Sequence, residues 1–99
     1  MIVIAGTATI KSGNYDEAVT QAQRTMTATQ AEVGCISYQI YVHPTDRHTF
    51  FIFEEWETPE ALARHFQTEH MQVFSHFLAR VLDGEMNIKR YEIKSRAPL

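Results

Sequence analysis

Two histidines, a glutamate and a tryptophan are the residues of this chain whose types and spacing suit acid–base chemistry on a bound molecule. His65 follows Leu62 by three residues and immediately precedes Phe66, which places it on the inward side of a helix. His70 precedes Phe74 by four residues and Phe77 by seven, again inward. His76, near Gln72 and Arg80, falls on the solvent side. Imidazole titrates near neutral pH, so two of them over an aromatic surface can serve as a base and its helper. The same spacing also describes core histidines satisfied by backbone carbonyls. Glu54 lies two residues before Trp56, on one face of a strand, where a carboxylate orients a histidine or simply meets solvent. Trp56 suits a pocket wall with an N–H to donate, or plain core packing. Tyr38, Tyr41 and Tyr91 are strand aromatics, and a buried phenol hydroxyl needs a partner that a bound molecule can supply. His65, His70 and Glu54 are thus the candidate catalytic groups, and Trp56, Tyr38, Phe74 and Phe77 the candidate substrate contacts. His65 and His70 are five apart, off a common helical turn, and no third ligand stands out, so no metal site is expected. Cys35 follows a glycine on a strand and reads as an inert buried thiol.

The elements that must position these groups are legible in the pattern. Residues 2–10 are β-branched, apolar and small, a largely buried strand. Lys11-Ser12-Gly13-Asn14 is a turn with Ser12 or Asn14 available as a cap. Tyr15, Ala18, Val19, Ala22 and Met26 then fall on one helical face, with Asp16 and Glu17 in the first turn, and Gly34 closes the unit. Residues 35–43 alternate, with Ile36, Tyr38, Ile40 and Val42 on one side and Cys35, Ser37, Gln39, Tyr41 and His43 on the other. Pro44-Thr45-Asp46-Arg47 makes a hairpin connection. Residues 48–57 form the next strand, and it is apolar on both faces: Phe50, Ile52 and Trp56 against Phe51 and Phe53. Thr58-Pro59 caps a helix running to about Thr68, a second helix covers 70–82, Asp83-Gly84 stops it, and 85–94 is the last strand. The order is the β-α-β-β-α-α-β of a ferredoxin-like α+β fold with an antiparallel sheet. One layer of helix covers one sheet face only. The other face therefore predicts a homodimer, in which a second copy of the sheet covers it.

Composition sets the outer bounds. Ninety-nine residues make one domain, 1–99, and the net charge of −3 gives no basic face for nucleic acid. The basic residues Lys89, Arg90, Lys94 and Arg96 are interleaved with Tyr91, Glu92 and Ile93, as on a strand exterior and tail. A single cysteine excludes an internal disulfide or a multi-thiolate metal site and is compatible with a cytoplasmic setting. The N-terminus has no signal-peptide pattern, and no apolar run approaches the roughly 18 residues of a membrane span. The four glycines are scattered, so neither a dinucleotide fingerprint nor a phosphate-binding loop is present, and no zinc-protease or nucleophile-elbow motif occurs.

The run Glu55-Trp56-Glu57, Ala61-Leu62, His65, Thr68-Glu69-His70-Met71 and Phe74, with Glu32-Val33-Gly34-Cys35-Ile36-Ser37-Tyr38 upstream, resembles the antibiotic biosynthesis monooxygenase family. Glu85-Met86-Asn87-Ile88 is similar to its quinol monooxygenase branch. The resemblance implies a dimeric α+β barrel. It also implies, for some members, oxygenation of quinols or polycyclic phenols by O2 without flavin, haem or metal, so no cofactor is expected. Trp56, His65 and His70 are the positions the match carries over; Glu54 comes from the residue reading. The haem-degrading branch has an Asn on the first strand and a Trp on the helix after the third, where this chain has Gly6 and His65. The expected activity is a cofactor-independent monooxygenase with a His-assisted deprotonation. The alternatives are an isomerase of the same fold acting on a small phosphorylated sugar, and a non-catalytic, small-molecule-binding or stress-related dimer.

Overall fold

The computed structural model describes all 99 residues. Its elements run β1 (Ile2–Thr9), α1 (Tyr15–Gln30), β2 (Cys35–His43), β3 (Asp46–Trp56), α2 (Pro59–His65), α3 (Glu69–Val81) and β4 (Asn87–Glu92). The sheet has four strands in the order β2-β3-β1-β4, and every pairing is antiparallel. This is the expected ferredoxin-like α+β architecture.

Period-2 alternation fixes which side chains meet the helices. Ile2, Ile4, Gly6 and Ala8 of β1 lie opposite Trp56, Glu54, Ile52 and Phe50 of β3. Tyr38 and Ile40 of β2 lie opposite Glu54 and Ile52. Two apolar clusters form on this face. One joins Ile10, Ala18, Phe50, Phe74, Phe77 and Val81; the other joins Ile2, Tyr38, Trp56, Ala61 and Leu62. A fully buried side chain of this size contributes about 1.5–3 kcal/mol, so these clusters anchor the helices to the sheet.

Four local findings refine the sequence reading. Asn14 occupies the N-cap of α1, but its side chain makes no capping bond, and only its carbonyl engages, accepting from Ala18 N at 2.9 Å. The hairpin connection is shorter than expected, Pro44-Thr45, so β3 begins at Asp46. Between Cys35 and Ser37 the register shifts, so Cys35 pairs with Trp56 and packs on the second cluster. Cys35 therefore joins Tyr38 on the helix side, where simple alternation had set the two on opposite faces. The helix after β3 ends at His65 rather than Thr68. Thr68 donates from its hydroxyl to the His65 carbonyl at 2.7 Å and accepts from Met71 N at 3.3 Å. It closes one helix and caps the next, so the chain changes direction between His65 and His70.

The opposite sheet face carries no helix. Phe51, Tyr41 and Tyr91 are 40%, 55% and 46% exposed there, and Val3 and Phe53 are half-buried. No helix is long and apolar enough to cross a membrane.

Candidate functional site

A cavity of about 300 Å³ opens between the sheet, helix α3 and Phe66, the residue just past α2. Eleven of its thirteen lining residues are hydrophobic, among them Ile4, Ile52, Phe66, Met71, Phe74, Met86 and Ile88. The two others are Glu54 and Ser75, and Tyr38 joins the wall. No lysine, arginine or histidine lines it. The strands set its shape. Gly6 on β1 faces β4 so closely that a Cβ there would stand 2.1 Å from the Asn87 carbonyl oxygen. Any side chain at position 6 would push β4, and with it Met86 and Ile88, off the cavity.

Glu54 is the titratable group of this cavity. It is 8% exposed, and burial pushes its carboxyl up to about 7, with the charge of Glu32 adding to the rise. Trp56 opposes that rise by donating its indole N–H to Glu54 Oε1 at 2.9 Å. An apolar cavity holding one carboxyl that changes charge near neutrality can bind a neutral ring and accept a proton from it. Tyr38 lies across the sheet from Glu54, and burial holds its phenol far above its ordinary value, so it stays protonated and serves as a donor.

The histidines form a second arrangement. Glu32, in the turn after α1, places a single oxygen, Oε2, 2.7 Å from His65 Nδ1 and 2.8 Å from His70 Nε2. Gly34 makes this possible. Its φ of +88° suits glycine, and a Cβ there would lie 2.5 Å from the Ala61 Cβ, so the turn packs directly on α2. His65 is fully buried, with the rings of Trp56, Tyr38 and Phe66 at centroid distances of 4.9, 5.6 and 5.6 Å. Its Nε2 is buried without a partner. Glu32, His65 and His70 are also the three residues best placed to hold a metal ion, their donor atoms lying within 4.8 Å of one another. The separations from Glu32 Oε2 are nevertheless those of hydrogen bonds. Neighbouring donors on a tetrahedral zinc stand about 3.3 Å apart, given bonds of 2.0–2.1 Å.

The candidates of the sequence thus do not share one site. Glu54, Tyr38 and Phe74 line the cavity. His65 stands behind the cavity wall, and His70 reaches a polar groove between α1 and α3 that Arg24 and Glu69 also border. Trp56 has no exposed surface and touches the cavity only through its bond to Glu54. Phe77, expected on the substrate wall, belongs to the first core cluster, because the helical spacing that turns it inward aims it at Phe50 and Ile10. Glu54 orients no histidine; the carboxylate that does so is Glu32. Sequence reasoning gave Glu32 no role, since it sits on no periodic element. The signal available was the Gly34 two residues later, which marks a tight turn. Cys35 is an inert thiol in its physical state, since burial and the nearby glutamates push it up to about 11.

Residues 1–76 match the family model described as antibiotic biosynthesis monooxygenase. A protein of Synechocystis described as uncharacterized is 34% identical over 93% of this chain, and the chain spans 63% of that relative's length. YcnE of Bacillus subtilis is 26% identical over 94% of this chain and 98% of its own. Among solved structures, a Pseudomonas aeruginosa protein superposes with a TM-score of 0.85 at 26% identity, covering 95% of this chain and 94% of its own. A Deinococcus radiodurans structure gives 0.89 at 19% identity, covering 100% and 98%, a likeness of fold alone.

Proposed function

The chain belongs to the antibiotic biosynthesis monooxygenase family, and from that premise we propose that it oxidises a neutral quinol or polycyclic phenol with O2, using no cofactor of its own. The observation that carries this reading is Glu54: a carboxyl poised near pH 7 in an otherwise apolar cavity of about 300 Å³. Its ionised form takes the hydroxyl proton of the ligand. The resulting electron-rich anion passes one electron to O2, and the ligand radical and superoxide combine into a carbon–oxygen bond. The peroxide takes the proton back from Glu54 to become a hydroperoxide, and loss of water with the hydrogen of the same carbon leaves one oxygen atom in the product and one in water, the ligand supplying the electrons. The protein's part is to orient the ring between Phe74 and Ile52, exclude water and hold the proton on Glu54. The Tyr38 hydroxyl is suited to donate to the ligand oxygen.

The phosphorylated-sugar isomerase is less well supported, because no cationic side chain lines the cavity to meet a phosphate. Family members commonly dimerise, and the exposed Phe51, Tyr41 and Tyr91 suit a homodimer built across the open sheet face. The test is oxygen uptake by metal-free, flavin-free protein with reduced naphthoquinols and anthracyclic phenols, with Glu54→Gln alongside. Uptake above the autoxidation blank that is lost in the variant supports the oxygenase. Saturable binding of the same quinols without uptake points instead to a binding protein.

A further inference from the structure

Glu32, His65 and His70 come from the turn after α1, the end of α2 and the start of α3, and they meet at one oxygen atom. A carboxylate only accepts hydrogen bonds, so each ring nitrogen touching Glu32 Oε2 carries its hydrogen. For His65 that nitrogen is Nδ1, and its other nitrogen, Nε2, is buried with no partner. A hydrogen on Nε2 would be a buried donor without an acceptor, which is costlier than an idle lone pair. His65 therefore rests with its hydrogen on Nδ1 and its lone pair on Nε2. The His65 ring stands in a layer of aromatic rings, and two of them, Tyr38 and Phe66, also line the cavity. Phe66 is 51% exposed just past the end of α2.

We propose that Glu32 is a positioning residue that holds His65 as a second base, with Nε2 set to take a hydroxyl proton from the cavity ligand, while His70 steadies Glu32 at the same oxygen. A turn of Phe66 opens the way. The ligand O–H bond breaks, its electron pair stays on the ligand oxygen, and a new N–H forms at Nε2. The Glu32 carboxylate faces the positive ring, the role of the carboxylate in a carboxylate–imidazole pair. The proposal rests on the reading of the cavity as a phenol or quinol site, and its test separates the two.

The experiment is long-range 1H–15N NMR on protein labelled at histidine, with His65→Gln to assign the signals, in parallel with steady-state kinetics on quinols. The wild-type His65 signals are expected to show a protonated Nδ1 and an unprotonated Nε2. Glu32→Ala, which removes the acceptor, is expected to lose that pattern and to lower kcat on the order of 10²-fold with KM little changed. His70→Ala is expected to keep the pattern. A wild-type His65 with its hydrogen on Nε2, or a pattern unchanged in Glu32→Ala, overturns the proposal whatever the oxygen uptake. One equivalent of Zn2+ that shifts the His65 and His70 signals together overturns it in favour of an ion site. The expected pattern with no turnover of any quinol supports the positioning role and counts against the oxygenase alone. Should the Glu32→Ala variant fail to fold, the wild-type spectrum still decides the tautomer.

Discussion

Replacing Glu54 by Gln should stabilise the protein above neutral pH and leave it nearly unchanged in acid. The carboxyl rises from an ordinary 4.5 to about 7 on folding, mainly through burial. The folded protein thus holds this proton more tightly than the unfolded chain does. The group's contribution is present in full below pH 4.5 and is lost as pH climbs through about 7. Each pH unit of that gap is worth about 1.4 kcal/mol, so wild type forfeits about 3 kcal/mol between pH 4 and pH 8 through this one side chain. Glutamine is neutral throughout and can still accept from Trp56 Nε1, so it escapes the loss. The assay is urea unfolding of both proteins at pH 4 and pH 8, at one protomer concentration, followed by the fluorescence of Trp56. Other titrating groups, such as Asp46, whose carboxyl is held below its ordinary value by its bonds to Thr49 and His48, are present in both proteins and cancel in the difference. A Glu54→Gln advantage of the same size at both pH values would refute the reasoning, because burial of a charge would then not be its source.

Further expectations follow from the same geometry. Trp56→Phe removes the donor that holds Glu54 down, so the Glu54 carboxyl should titrate above about 7, read by 13C NMR of that carboxyl. Gly34→Ala combines a left-handed φ with a Cβ 2.5 Å from the Ala61 Cβ, and should cost about 1–3 kcal/mol in thermal or urea unfolding. Cys35, pushed up to about 11 from 9.0, should react with a thiol reagent on the order of 100-fold more slowly than free cysteine at pH 7. Phe51→Lys puts a charge in the middle of the open sheet face and should convert a dimer to monomer by analytical ultracentrifugation; a dimer that survives it would place the interface elsewhere.

The fold was legible because its signals are periodic. The two apolar faces of β3, the helical stripes of α1 and α3, and the Thr58-Pro59 start of α2 each announce themselves within about ten residues. The site was legible in part, and the reason is geometric. Spacing says that His65 and His70 face inward, each on its own helix, but not how the two helices meet, and that junction is set by Thr68, which closes one and caps the next. Alternation puts Cys35 opposite Tyr38, and one register shift reverses it. Glu32 was invisible as a partner because it meets His65 and His70 only after a glycine turn packs on Ala61, a contact that no local pattern encodes.

The reach of Glu32 also bears on how the molecule assembles. It bonds to groups 33 and 38 residues further along the chain, across the whole β2–β3 hairpin and helix α2. Contacts of such separation close after local ones in a folding reaction, because the intervening loop entropy must be spent first. The lone tryptophan, with its ring 4.9 Å from His65, is a built-in optical probe of that step. In stopped-flow refolding, its final signal should trail the appearance of secondary structure in circular dichroism. The chemistry of the interior would then arrive only after the helices and the β2–β3 hairpin have formed.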